Sequence, residues 1–203
     1  GLTAACTYPV EEGLEVLTNT AMVRNSRRTT LELLISAHRR KCLSCGRSDS
    51  CELQALGFEY GANEDHFKGE DPNYPIDDST DCVIRDNNKC VLCRRCVAAC
   101  DKNQEVAVIG ANERGFKTHI GQAFELNLNN VACIGCGQCA AVCPTGAITI
   151  RDDADAVWKV IGNPDIEVSV QVAPAVRVAI GKELEMTDYG KYLISLADSE
   201  NKR

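Results

Sequence analysis

The two stretches CVLCRRCVAAC at residues 90–100 and CIGCGQCAAVC at residues 133–143 decide the fold of this chain. Both have the spacing C-x2-C-x2-C-x3-C, and the second repeats the first at an offset of 43 residues. A repeat of this kind indicates two related structural units. In each unit three cysteines lie in one loop, and a short apolar run before the fourth predicts a single helical turn, at 97–99 and 140–142.

These runs have the ligand spacing of a protein that binds two [4Fe-4S] clusters. Thiolates are soft ligands that bind iron, and in two-cluster ferredoxins the fourth cysteine of each run binds the cluster of the other run. We name the two resulting ligand sets the second and third centres. The second centre consists of Cys90, Cys93, Cys96 and Cys143, and the third consists of Cys133, Cys136, Cys139 and Cys100. Pro144 after Cys143 matches the bacterial motif, whereas Asp101 follows Cys100.

Zinc is the alternative metal for these cysteines. Zinc ribbons pair C-x2-C units from separate hairpins, whereas here three cysteines lie in a single loop. The spacing therefore favours iron-sulfur clusters, and a zinc-stabilised binding module stands as the alternative.

A first centre is predicted upstream from four ligand-type residues within fourteen positions: His38, Cys42, Cys45 and Cys51. From spacing alone, three thiolates and an imidazole are equally compatible with zinc and with an iron-sulfur cluster. The neighbouring cysteine runs favour a further [4Fe-4S] cluster. A neutral imidazole in place of a thiolate reduces the negative charge of such a cluster, which shifts its reduction potential.

The remaining cysteines and histidines lack neighbours at ligand spacing. From the residues alone, Cys6 is expected to be a buried free thiol, and Cys82 is expected not to be a ligand. His66 and His119 are expected at the surface or behind the ligands.

The composition limits the compartment and the partners. The 203 residues, 44% hydrophobic and 25% charged, fit one or two compact domains and exclude a disordered, coiled-coil or collagen chain. Thirteen cysteines, an odd number, in a long chain without an export signal at its start favour reduced, metal-bound thiolates in the cytoplasm. A net charge of -7 argues against nucleic acid as a partner, and no apolar stretch is long enough to span a membrane.

The rest of the chain predicts a few short elements. Residues 26–38 have apolar side chains at helical spacing, and this helix would lead to His38. Its apolar positions are Leu31, Leu34 and Ile35. Residues 57–80 are polar and rich in Gly, Asp, Asn and Pro, which predicts a linker or a surface excursion. Strands are predicted at 106–109, 147–150 and 168–172, and helices at 155–161, ended by Gly162, and at 175–184.

The residues around the first centre resemble a known domain. The segments LELLISAH at 31–38, CLSC at 42–45 and CELQ at 51–54 are similar to a one-histidine, three-cysteine cluster domain. Complex I large iron-sulfur subunits, NAD-linked formate dehydrogenases and [FeFe]-hydrogenases share that domain. Complex I subunits lack the paired ferredoxin arrangement next to it, and formate dehydrogenases continue into a molybdopterin domain.

The segments that follow resemble [FeFe]-hydrogenases. RGF at 114–116, CGQCAAVCPTGA at 136–147 and VSVQVAPAVRVAIG at 168–181 carry this likeness, which covers nearly residues 2–184 and not the tail at 185–203. The nearest likeness is to the catalytic subunit of multi-subunit NAD(P)-linked or electron-bifurcating hydrogenases. A fragment of an NAD-linked formate dehydrogenase is a minor alternative.

The resemblance implies a [2Fe-2S] ligand near the start of the chain and indicates that the H-cluster ligands are missing. Cys6, in CTYPVEEG at 6–13, matches the last ligand of a β-grasp [2Fe-2S] domain whose other three ligands would precede Gly1. Ala173 and Pro174 match residues that lie against the catalytic H-cluster in the family. The four cysteines that hold the H-cluster come later in the family's chain, and no cysteine follows Cys143 here, so we expect these residues not to bind it. We expect one of three cases: a truncated piece of a hydrogenase subunit, a portion of a longer chain interrupted near Met186, or a natural conduit subunit that lost the catalytic domain.

The resemblance implies an α+β protein of four parts. Residues 1–25 are expected to be the remnant of a β-grasp [2Fe-2S] domain, and residues 26–80 the one-histidine, three-cysteine [4Fe-4S] domain with its linker. Residues 81–152 are expected to be a two-cluster bacterial-type ferredoxin domain. Residues 153–203 are expected to be the start of an α/β catalytic domain.

The function implied by the resemblance is electron relay. Three [4Fe-4S] clusters would pass electrons between flavin-containing, NAD(P)H-oxidising iron-sulfur subunits of a hetero-oligomeric complex and the H-cluster, with ferredoxin as a further partner. A [2Fe-2S] cluster is expected only if the missing ligands exist. The alternative is that the chain is the N-terminal part of the active hydrogenase subunit, which oxidises hydrogen or reduces protons.

Overall fold

The structure is a computed structural model that describes residues 1–69, 73–169, 171, 173–176 and 179. Residues 1–151 form one compact unit, and the chain from residue 152 belongs to a second. The α-helices are α1 (Ala21–Ser36), α2 (Glu52–Tyr60), α3 (Arg95–Ala98), α4 (Gln138–Ala141) and α5 (Ala154–Ile161). The strands are β1 (Val83–Arg85), β2 (Gly110–Asn112), β3 (His119–Gly121) and β4 (Ile148–Ile150). Short 3-10 turns lie at Cys42–Ser44, Asn87–Lys89, Gly115–Lys117, Ala123–Glu125 and Leu128–Asn130, and a π-helical turn at Ala99–Asn103 follows α3.

The sequence repeat is also a structural repeat. The single helical turns α3 and α4 lie 43 residues apart, like the cysteine runs that contain them. Each turn follows a residue in the left-handed conformation, Arg94 at φ 60° and Gly137 at φ 71°. Two residues before these, Leu92 and Gly135 are left-handed as well, at φ 55° and 65°. The two loops therefore follow the same backbone path, although only the second has glycines at the left-handed positions.

Two small antiparallel sheets support the cysteine loops. β1 pairs with β4, with Val83 opposite Ile150, and β2 pairs with β3, with Gly110 opposite Gly121. The strand predicted at 147–150 is confirmed. The strand predicted at 106–109 is wrong because Glu105 and Ala107 have positive φ values of 55° and 54°, which interrupt an extended chain, so β2 begins only at Gly110.

The hydrophobic core of the first unit includes the cysteine loops themselves. Val83 and Ile120 are 1% exposed, and Leu128 and Ile148 are buried beside them. Buried Cys96 and Cys143 belong to the same cluster of side chains, and further cysteines pack against it from partly buried positions: Cys82, Cys90, Cys100, Cys133 and Cys139. The apolar core thus shields sulfur atoms from water.

Helix α1 begins at Ala21, before the predicted start at residue 26, and ends at Ser36, before the predicted end at residue 38. Thr20 caps it, since its Oγ1 accepts a hydrogen bond from the Val23 amide at 3.3 Å. Leu31 and Ile35 pack against Leu53 and Tyr60 of α2, which the sequence did not predict. Leu34, predicted on the apolar face, is exposed, because the packed face of α1 passes through Leu31 and Ile35.

Glu32 occupies the buried face of α1. Its carboxylate accepts a hydrogen bond from the Asn63 amide at 2.9 Å and lies 2.6 Å from Nδ1 of His66. The amide of Asn63 and the ring of His66 lower the pKa of Glu32. The His66 ring is more than half exposed, as expected of a surface residue, and it holds the polypeptide after α2 against α1.

The predicted linker at 57–80 is wrong at both ends. Helix α2 continues to Tyr60 and ends at Gly61, whose left-handed φ of 59° closes the helix. At the other end, Asp77 is buried and exchanges two backbone hydrogen bonds of 2.9 Å with Arg85. Polar composition alone did not distinguish a linker from a segment paired with a strand.

The second unit is described in part. Helix α5 begins at Ala154, one residue before the predicted start, and ends at Ile161, followed by Gly162 as predicted. The strand predicted at 168–172, the helix predicted at 175–184 and the tail at 185–203 fall partly or wholly outside the described residues. Among the described residues, no helix combines the length and apolar character needed to cross a membrane.

The packing of α1 predicts different effects for two leucines on the same helix. Leu31→Ala removes a buried side chain and should cost about 2–5 kcal/mol of stability. Leu33→Ala, the matched control, removes a side chain that is 52% exposed and should change stability by less than about 0.5 kcal/mol. Urea unfolding followed by circular dichroism without oxygen measures both. Equal losses would contradict the assigned face of α1.

Candidate metal centres

The first centre is assembled at the ends of two helices. His38 lies two residues after α1, Cys42 begins a 3-10 turn and Cys51 immediately precedes α2. Together with Cys45, these residues line one cavity. The structure thus brings together all four side chains that the sequence assigned to this centre.

The imidazole of His38 is neutral and has a ring nitrogen without a hydrogen-bond partner in the described part of the chain, as a metal ligand requires. Burial lowers the pKa of its imidazole, so the ring is neutral near pH 7, and the ring also lies within hydrogen-bonding range of the Lys89 backbone. Its Nδ1 is buried and has no hydrogen-bond partner among the described residues. A buried polar atom without a partner is uncommon in folded proteins. The residues of the first centre therefore fit a metal group.

The second centre is a cavity with an apolar wall. Its four predicted cysteines line one space: Cys90, Cys93, Cys96 and Cys143. Ile120, Ala147 and Ile148 line the same space. The fourth cysteine of the second run therefore lies with the first three cysteines of the first run. At its edge the Leu92 amide donates a hydrogen bond to Cys90 Sγ at 3.4 Å, made by a residue in the left-handed conformation.

Three of the four cysteines assigned to the third centre are partly buried against the core. Burial, together with the nearby thiols of Cys136 and Cys133, raises the pKa of Cys139 to about 11. Cys133 and Cys139 pack against the same core as Cys100. The assignment of Cys100 to this centre stays a prediction.

The buried thiols resist ionisation until a metal binds. Burial, followed by the charges of Cys90, Cys143 and Cys93, raises the pKa of Cys96 to about 12. Burial also raises the pKa of Cys90. Because thiolates are the form that binds iron, loading must displace these protons and becomes less favourable as the pH falls.

The segment 143–146 joins the first and second centres. The Glu52 amide donates to Pro144 O at 3.0 Å, and Arg47 Nη2 donates to Cys143 O at 3.0 Å. Gly146 lines the first cavity, where a Cβ on this residue would lie 2.5 Å from Cys45 Sγ. A side chain at position 146 would force Cys45 Sγ to move, a constraint that sequence spacing did not reveal.

Two cysteines lie outside the predicted [4Fe-4S] ligand sets. Cys6 is exposed, so the expectation of a buried thiol is wrong; it lies in an N-terminal stretch without helix or strand that contributes nothing to the core. Its role as a [2Fe-2S] ligand stays a prediction. Cys82 is half-buried, and its Sγ lies 3.1 Å from the position of a Cβ on Gly135, beside the loop of the third centre.

Two family models match the chain over the residues that build these centres. Residues 27–66 match the NADH-ubiquinone oxidoreductase-G iron-sulfur binding region, which includes the whole first centre. Residues 89–147 match the 4Fe-4S dicluster domain, which includes the second and third centres.

Hydrogenase subunits are among the proteins most similar to the chain. It is 43% identical over 183 residues to the NADP-reducing hydrogenase subunit HndD of Solidesulfovibrio fructosivorans, covering 90% of this chain and 31% of that protein. It is 33% identical over 187 residues to iron hydrogenase 1 of Clostridium pasteurianum, covering 92% of this chain and 33% of that protein. The chain spans about a third of the length of these relatives.

A solved structure extends the likeness to the backbone. The NAD+-reducing [NiFe]-hydrogenase in its H2-reduced state matches with a TM-score of 0.68 and 29% identity, over 73% of this chain and 64% of that chain. The comparisons show that the chain contains an iron-sulfur binding region and a 4Fe-4S dicluster domain. It is similar to the iron-sulfur regions of hydrogenase subunits, which confirms the resemblance seen in the sequence.

The close approach at Gly146 predicts a selective loss of the first centre. Gly146→Ala places a Cβ against Cys45 Sγ, so we expect about four of about twelve iron atoms per chain to be lost on reconstitution. Gly46→Ala is the matched control in the loop after Cys45, because a Cβ there meets nothing within 4 Å. Iron analysis measures both variants. Full iron content in Gly146→Ala would show that this contact does not constrain the centre.

Proposed function

We propose that this chain relays electrons through [4Fe-4S] clusters within a hydrogenase-type oxidoreductase complex. The observation that carries the proposal is the junction of the first and second cavities. Cys143 lines one cavity and Gly146 the other, three residues later. Because electron tunnelling weakens steeply with distance, adjoining centres are what a relay requires.

The residues of the chain hold the clusters and keep water away from them. When bound, each cluster accepts and passes on one electron at a time. His38, Cys42, Cys45 and Cys51 would hold the first cluster. The second would be held by Cys90, Cys93, Cys96 and Cys143, and the third by Cys133, Cys136, Cys139 and Cys100. The apolar side chains that line the second cavity, Ile120 and Ile148 among them, exclude solvent from the sulfur atoms.

Thr145 strengthens the contact between the first two centres. It is 1% exposed, and its hydroxyl donates to Lys89 O at 2.9 Å. Lys89 lines the first cavity, whereas Thr145 lines the second and lies 3.8 Å from Cys143 Sγ. This hydrogen bond fixes the backbone that separates the two cavities.

The relatives support a proposal for the partners. We infer that electrons pass between a flavin-containing, NAD(P)H-oxidising partner and a hydrogen-converting H-cluster, since NADP-reducing and iron hydrogenases are among the relatives. The nicotinamide and the flavin would exchange two electrons, and the chain would carry them singly. The same relatives support the second candidate, in which this region is part of the active hydrogenase subunit itself. The domain limits and a [2Fe-2S] cluster at Cys6 remain part of the proposal.

Metal analysis tests the proposed clusters. We expect about twelve iron atoms and as many acid-labile sulfides per chain prepared without oxygen, from three clusters of four irons. Cys143→Ala should remove about four irons, whereas Cys82→Ala, the matched control, should remove none. Zinc without sulfide would overturn the proposal.

His38→Cys tests the ligand that distinguishes the first centre. A thiolate replaces the imidazole, so we expect the iron content to stay the same while the EPR signal of one reduced cluster changes. The signals of the other two clusters serve as the internal control. If spectra and iron content both match the unaltered chain, His38 is not a ligand.

A further inference from the structure

Arg85 is a buried cation at the end of β1. Its side chain is 9% exposed, and its Nη2 donates to Asp77 Oδ2 at 3.1 Å and to Gln122 Oε1 at 2.7 Å. Its backbone pairs with Ile148 in β4 and with Asp77 on the other side. The guanidinium is therefore held in one place by a strand, a carboxylate and an amide.

Two hydrogen-bond donors in this group have no partner. Arg85 Nη1 and Gln122 Nε2 are both buried and donate to no atom among the described residues. Leaving a buried donor unpaired costs about 1–3 kcal/mol, and more for a charged group. Such a pair of donors points to an acceptor that the described side chains and backbone do not supply.

Arg85 lies beside the core that holds the cysteines. It pairs with Ile148, which lines the cavity of the second centre. Burial lowers the pKa of Arg85, and negative charge on Asp77, Cys96, Glu125 or Cys139 would oppose that shift. Cys96 belongs to the second centre and Cys139 to the third, so negative charge at either centre acts on the guanidinium.

The negative charge of Asp77 is only partly available to neutralise Arg85. Asp77 Oδ2 also accepts from the Leu128 amide at 2.9 Å, and Oδ1 accepts from the Ser79 hydroxyl at 2.6 Å. These donors stabilise the carboxylate independently of the arginine. Asp77 thus pairs with Arg85 through Nη2 alone, and Arg85 Nη1 has no hydrogen-bond partner among the described residues.

We propose that Arg85, held by Gln122, is a positioning residue that raises the reduction potentials of the second and third clusters together. Reduction adds negative charge to a cluster, and a fixed cation with free N–H donors stabilises the reduced form more than the oxidised form. The inference rests on the cluster loading proposed above. The first cluster is its internal reference, because the principal charges on Arg85 come from elsewhere.

Gln122→Glu is the sharpest test. The substitution keeps the shape and the oxygen that binds Arg85 Nη2, but it adds a negative charge beside the cation. In an EPR-monitored redox titration of the loaded full chain, we expect the reduced-to-oxidised ratio of the second and third clusters at fixed potential to fall at least tenfold. That change equals a shift of about 59 mV to lower potential for one electron. The first cluster should not shift.

Substitutions at Arg85 separate charge from hydrogen bonding. Arg85→Met should lower the same two potentials, and Arg85→Lys, which keeps the charge, should lower them less. Arg114→Met, at an exposed arginine of the same unit, is the matched control and should shift nothing. If Arg85→Met does not fold, Gln122→Glu decides the question alone.

The outcomes distinguish this inference from the proposed function. Unshifted potentials in a fully loaded Gln122→Glu chain would overturn the role of Arg85. An equal shift of all three clusters would overturn it too, because it would indicate a general change in structure. Absence of iron and sulfide from the unaltered chain would instead overturn the proposed function.

Discussion

The crossing of Cys143 out of its own loop is the constraint on which the rest of the structure depends. Cys143 lies in the cavity of Cys90, Cys93 and Cys96, so the two halves of the repeat must meet at one core. Strand β4 follows directly and pairs with β1, which precedes the first cysteine loop. The same crossing carries Pro144 and Gly146 to the first centre, which joins it to the repeat.

The two cysteine loops have different residues at the backbone positions that are left-handed in both. At the left-handed positions the second loop has Gly135 and Gly137, which adopt them freely, whereas the first has Leu92 and Arg94. A left-handed residue other than glycine costs roughly 1–2 kcal/mol. The Leu92 amide, however, donates to Cys90 Sγ. The first loop therefore depends more on its sulfur contacts, and on a bound cluster, than the second does.

The sequence predicted the parts that depend on local spacing and missed the parts that depend on distant contacts. The repeat, the one-turn helices and the gathering of His38 with its three cysteines followed from spacing. The strand at 106–109 failed because its apolar pattern does not reveal the positive φ of Ala107. Arg85 and Gln122 lie 37 positions apart, so no spacing rule links them. Gly146 is required only because Cys45, far away in sequence, packs against it.

The two charge arrangements proposed for the centres act in the same direction. At the first centre a neutral imidazole would replace one negative thiolate, and at the second and third centres a single arginine would act on both clusters. Both reduce the net negative charge around a cluster, which raises its reduction potential. A relay transfers electrons efficiently in both directions only when neighbouring potentials are close. If the negative charge were reduced at one centre alone, its reduction potential would differ from that of its neighbour and one electron-transfer step would become unfavourable. The proposed histidine in the first centre and the proposed arginine beside the other two would therefore keep the potentials of all three clusters close.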